Sequence, residues 1–77
     1  MTNDNSRPPR GEALWRVHKD GDVASCSLRE ASAGAGWELV LRIDSEITGT
    51  RRYDSERIAR HYADALRKDY LRDGWID

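Results

Sequence analysis

Between Trp37 and Ile43 apolar side chains occupy every second position, Trp37, Leu39, Leu41 and Ile43, with Glu38, Val40 and Arg42 between them. Neighbouring side chains of a strand leave the backbone on opposite faces, so this alternation predicts a half-buried strand over Trp37–Asp44. Two earlier runs alternate in the same way. Leu14–Lys19 sets Trp15 and Val17 against Leu14, Arg16 and His18, and Val23–Glu30 sets Ala24, Cys26 and Leu28 against Val23, Ser25, Ser27 and Arg29. Asp20-Gly21-Asp22 separates them, and Asp-Gly between alternating runs predicts a tight hairpin. Ile47–Tyr53 reads as a fourth strand after a short turn at Ser45-Glu46. Gly49 inside it predicts a bulge or a close backbone approach. Ser32-Ala33-Gly34-Ala35-Gly36 has the composition of a loop.

Beyond Tyr53 the period changes to that of a helix. Ile58, Tyr62 and Leu66 share one face, widened by Ala59, Ala63 and Tyr70. Asp54 fits as N-cap, which would let Tyr53 and Ile58 close a hydrophobic staple. Gly74 fits the left-handed position past the last turn, with Trp75 packing back on Tyr70. The expected helix runs over about residues 55–73. The fold class is therefore α+β: a four-stranded antiparallel β-meander followed by one C-terminal α-helix packed on one sheet face, or ββββα. It occupies residues 13–77 as a single domain. The expected core is Trp15, Val17, Ala24, Cys26, Leu28, Trp37, Leu39, Leu41, Ile43, Tyr53, Ile58, Tyr62 and Leu66.

Residues 1–12 contain no apolar side chain after Met1 and include Pro8-Pro9, so they predict a disordered tail rather than a secretory signal. A domain of 77 residues buries only about 60% of its unfolded surface, which leaves a thin margin. Such domains rely on staples, dense packing or a partner. Cys26 is the only cysteine, so an internal disulfide and a cysteine-based zinc site are excluded. A lone thiol and no signal point to a reducing, cytoplasmic setting. No apolar run approaches the roughly 18 residues of a membrane span. Charge is balanced at 13 basic against 14 acidic residues, which removes the global argument for nucleic-acid binding but not a local one.

With one helix covering one face of the sheet, the other face would display Leu14, Arg16, His18, Val23, Ser25, Ser27, Arg29, Glu38, Val40, Arg42, Thr48, Thr50 and Arg52. Arg16, His18, Arg29, Arg42 and Arg52 form the expected ligand or partner face. Arginines with neighbouring hydroxyls suit phosphate contact, although single-strand platforms normally add aromatic rings that this face lacks. Leu14, Val23 and Val40 among arginines suit a self-complementary dimer contact instead. Cys26 is expected to be inward and inert. His18 and His61 lie on different elements, and the acidic residues sit in turns, caps and helix pairs. The expectation is thus a non-enzymatic interaction module with no cofactor, metal or small-molecule substrate, homodimeric, with nucleic-acid binding through the arginine face as the alternative.

Leu14-Trp15-Arg16, Asp20-Gly21, Gly36-Trp37-Glu38-Leu39, Arg51-Arg52-Tyr53 and Gly74-Trp75, in this order, resemble a group of short uncharacterised bacterial proteins. The resemblance covers about residues 13–75 and departs from the group at Asp44-Ser45-Glu46, where a tight Asp-Gly turn belongs. It implies the same ββββα fold and a bacterial source, and no activity. The order of elements alone also resembles the repeat unit of Whirly-type single-strand-binding proteins, an association at the level of topology.

Overall fold

The computed structural model describes residues 11–31 and 36–77. Its elements are β1 (Glu12–Lys19), β2 (Asp22–Glu30), β3 (Trp37–Ile43), β4 (Glu46–Tyr53) and α1 (Glu56–Arg72). The strands form one antiparallel sheet in sequential order, with the helix packed on one face, as the alternation predicts. Residues 1–10 of the expected tail and 32–35 of the expected loop lie outside the described residues, whereas Glu12, expected in the tail, belongs to β1. Glu12 already pairs with Leu28, so the first strand begins one residue before the expected domain start.

The two tight hairpins share one turn geometry. Asp20-Gly21 has φ 52° and 88°, and Asp44-Ser45 has φ 52° and 77°. Two left-handed residues in succession give the twist that antiparallel strands require. The second turn therefore sits one residue earlier than Ser45-Glu46. Asp44 secures it: its N–H donates to the Val23 carbonyl at 2.7 Å, and its Oδ1 accepts from the Val23 N–H at 2.9 Å. Among the described residues Ser45 makes no such hydrogen bond to offset its left-handed backbone. Ser45→Gly should raise stability by about 1 kcal/mol, read as a higher urea midpoint. An unchanged midpoint would show that Ser45 carries no strain.

Two register shifts alter the simple parity of the edge strands. Ala13 pairs with Ser27 and Trp15 with Cys26, leaving Leu14 as the extra residue of a bulge. Leu14 consequently turns to the helix side and packs on the core beside Trp15, not on the uncovered face where alternation places it. In β4 the shift falls next to Gly49. Leu41 pairs with Gly49 and Arg42 with Ile47, so Thr48 is the extra residue and its hydroxyl donates to the Leu41 carbonyl at 3.3 Å.

The core lies between sheet and helix and is built on Cys26, Leu28, Leu39, Leu41, Ala59 and Ala63. Ile58 and Tyr62, both expected inside, are 42% and 48% exposed. The helix is rotated so that the alanines meet the sheet, because two small side chains let the backbone approach closely and fill the gap with Leu39 and Leu28 beneath. Trp15 fixes this rotation by donating its Nε1–H to the Ala63 carbonyl at 2.8 Å. The N-cap is Ser55, one residue later than expected, and its Oγ accepts from the Ile58 N–H at 3.2 Å. The C-terminal stop matches its prediction in full. Gly74 has φ 102°, Gly74 N–H donates to the Leu71 carbonyl, Trp75 N–H donates to the Tyr70 carbonyl, and the two rings meet at 5.5 Å. The chain then returns to β1: His18 and Ile76 exchange both backbone hydrogen bonds, at 2.8 and 2.9 Å. The outer edge of β1 is thereby covered at its hairpin end.

Candidate functional site

Register places all five expected face residues on the side of the sheet away from α1. Arg29, Glu38 and Arg52 form one row across the strands. Ala13, Ser27, Val40 and Thr50 form the next, then Arg16, Ser25, Arg42 and Ile47, and finally His18 and Val23. The face is less uniformly basic than its arginine count suggests. Arg29 is committed to Glu38, with both Nε and Nη2 at 2.9 Å from Oε1. Arg42 Nη1 donates to Ser27 Oγ at 3.1 Å. Arg16 and Arg42 stand on either side of Ser25 in a shallow hollow of about 440 Å³, whose remaining wall includes Val23, Asp44 and Ser45.

The apolar part of this face also differs from expectation. Leu14 has left it through the bulge. Val40 is only 2% exposed, because Arg42 reaches back toward Ser27 on one side while the Arg29–Glu38 pair closes the other. What remains accessible is Val23 at 37% and Ile47 at 55%. Ile47 was not legible as a face residue: strict alternation groups it with Gly49, Arg51 and Tyr53. Gly49 was the one sequence signal that the alternation would break.

The turn end of the face is acidic. Asp22 is shifted upward from its ordinary value by the neighbouring Asp44 carboxyl, first through hydrogen bonding that favours the protonated form and then through the negative charges of Asp44 and Asp20. At the opposite corner of the molecule Glu12 is lowered by its bidentate contact with Arg60, at 2.6 and 3.2 Å. Arg60 also holds Glu56 at 2.9 Å, tying helix to sheet.

Cys26 is inside, as its alternation requires, at 1% exposed. Burial pushes its thiol up to about 11, which keeps it protonated and a poor nucleophile at neutral pH. His18 lies on the uncovered face, and His61 stands on α1 with its ring nearly perpendicular to that of Tyr62, the centres 5.4 Å apart. Among the described residues no group of three or more His, Cys, Asp or Glu is arranged to hold a metal ion, and no helix is long and apolar enough to cross a membrane.

A second feature, on the flank of α1, was not anticipated. Tyr62 stacks on Tyr53 with ring centres 5.2 Å apart and planes inclined by 11°. Beside this pair Arg57, Ile58, His61 and Tyr62 line a hollow of about 430 Å³. Reading Ile58 and Tyr62 as core residues concealed it. Compared with protein-family models, curated proteins and solved structures, the chain has no match.

Proposed function

We propose that this protein is a non-catalytic interaction module of a reducing, cytoplasmic compartment, and that the uncovered face of its sheet receives a second copy of the chain. The observation that carries this reading is the self-complementary charge order of β3. Glu38 and Arg42 lie two residues on either side of the recessed Val40, on the same face. A two-fold axis along the row of Ser27, Val40 and Thr50 would stack each strand antiparallel over its own copy. Each Arg42 would then lie over Glu38 of the other copy, and Ile47 over the aliphatic stem of Arg52. Isologous contacts of this kind close at two subunits.

The size of the face sets the expected affinity. Four strands about 4.8 Å apart and seven residues rising about 3.3 Å each give roughly 440 Å² per copy. That is about half the roughly 800 Å² per partner of a standard interface, so association in the micromolar range or weaker is expected. Reading the same face as a phosphate platform is less well supported, since the carboxylates of Glu38 and Asp44 stand among its arginines.

Sedimentation equilibrium over a wide concentration range tests the proposal. The mass should rise with concentration toward twice the monomer value. Arg42→Glu, which sets glutamate over Glu38 in both contacts, should hold the protein monomeric at every concentration. A wild-type protein that stays monomeric, or an Arg42→Glu variant that associates as before, would remove this reading.

A further inference from the structure

We infer that the flank between α1 and the free side of β4 is a contact site for single-stranded nucleic acid, independent of the sheet face proposed above. The strongest features of the site are aromatic. Tyr62 stacks on Tyr53 with one ring face, and at 48% exposure it keeps much of its remaining surface in water beside the hollow. Ile58, one helical turn earlier and 42% exposed, provides a second apolar wall. A nucleobase entering this hollow extends a stack that the two tyrosines have already begun. Stacking of this type accepts any base, because every base presents a π-face.

Charge supports the same occupant. Arg57 and His61 line the hollow with Ile58 and Tyr62. Arg51 is on the same sheet face as Tyr53, two residues or about 7 Å along the strand. Arg51, Arg57 and His61 are therefore the basic groups of this flank, since Arg52 lies on the uncovered face and Arg60 is held by Glu12 and Glu56 at 2.6 and 2.9 Å. Aromatic rings bordered by guanidinium groups match an unpaired strand, whose bases and phosphates alternate along the backbone. The uncovered sheet face, by contrast, presents carboxylates and, among the described residues, neither tyrosine nor tryptophan.

Fluorescence anisotropy with a labelled oligothymidylate of about a dozen nucleotides tests this on the full chain. Binding should appear at about 20 mM salt and weaken at about 150 mM. Tyr62→Ala should reduce affinity about tenfold, whereas Tyr62→Phe, which keeps the ring, should stay within about twofold. Arg57→Gln should weaken binding and lower the slope of log affinity against log salt by about 0.7, the share of one phosphate contact on a single strand. Because Tyr62→Ala also removes a packing partner of Tyr53, Ile58→Glu serves as a second probe: it alters an exposed wall and should abolish binding through repulsion. Arg16→Gln and Arg42→Gln should leave affinity unchanged. Absence of binding at low salt, or binding lost in Arg42→Gln and retained in Tyr62→Ala and Ile58→Glu, would overturn the inference. Failure of self-association in sedimentation would leave it standing, as the two surfaces share no residue.

Discussion

Leu39→Ala is expected to remove about 3–5 kcal/mol of folding stability, the usual penalty where a buried leucine leaves a cavity that its surroundings cannot close. Leu39 is 0% exposed, pairs with Leu28 on β2 and Arg51 on β4, and belongs to the cluster that includes Ala59 and Ala63 of the helix. Its neighbours have little freedom to collapse. Ala59 and Ala63 have no further atoms to extend, and Trp15 ties the helix backbone to the sheet through Ala63. Natural domains retain only about 5–15 kcal/mol in total, and one of this length lies toward the lower end. Tryptophan fluorescence during urea unfolding should show a midpoint lowered so far that part of the population is unfolded without denaturant. A loss below about 1 kcal/mol would mean that the core is not centred between β3 and the helix.

The second large effect is expected at Gly36, which leads into β3 with φ 104°. A methyl group there would lie 2.6 Å from the Tyr53 carbonyl oxygen. That oxygen belongs to backbone at the end of β4, where Tyr53 pairs with Trp37, and it cannot swing aside as a flexible side chain would. Gly36 also accepts from the Ala31 N–H at 2.9 Å, so a shift of the glycine strains the link between β2 and β3 as well. Gly36→Ala combines an unfavourable dihedral with a collision and should cost about 3 kcal/mol or more. Gly21→Ala isolates the first contribution, for its φ is 88° and nothing lies within 4 Å of the added carbon. It should cost only about 1 kcal/mol. Equal losses in the two variants, compared by thermal unfolding, would show that the close approach to Tyr53 contributes nothing.

Legibility in the sequence followed how local each interaction is. The Asp20-Gly21 hairpin, the central strands and the Gly74-Trp75 stop depend on residues within six positions of one another, and each appears where its pattern places it. The bulge at Leu14 depends on how β1 meets β2, and it moved a leucine from the uncovered face to the core. The shift beside Gly49 moved Ile47 the opposite way. Of the candidate face, all five residues, Arg16, His18, Arg29, Arg42 and Arg52, were assigned to the correct side by parity. That Arg29 would be neutralised by Glu38, and that Arg42 would reach back toward Ser27 beside Val40, follows from cross-strand register. The aromatic flank was hidden for a related reason. Helical periodicity locates an apolar stripe to within about one residue, or roughly 100° of rotation. Ile58 and Tyr62 lie at one margin of that stripe, Ala59 and Ala63 at its centre.

The sequence alone determined the elements of this protein and their order, because periods of two and of about 3.6 residues are properties of the backbone itself. It also determined that Cys26 faces inward and that the side of the sheet away from the helix carries Arg16, Arg29, Arg42 and Arg52. Tertiary structure decided which way the helix is turned, which edge residues change sides, which arginines are already engaged, and that Ile76 returns to pair with His18. Those outcomes depend on contacts between segments far apart in the chain, where the volume of an alanine or the reach of a guanidinium has no counterpart in local pattern.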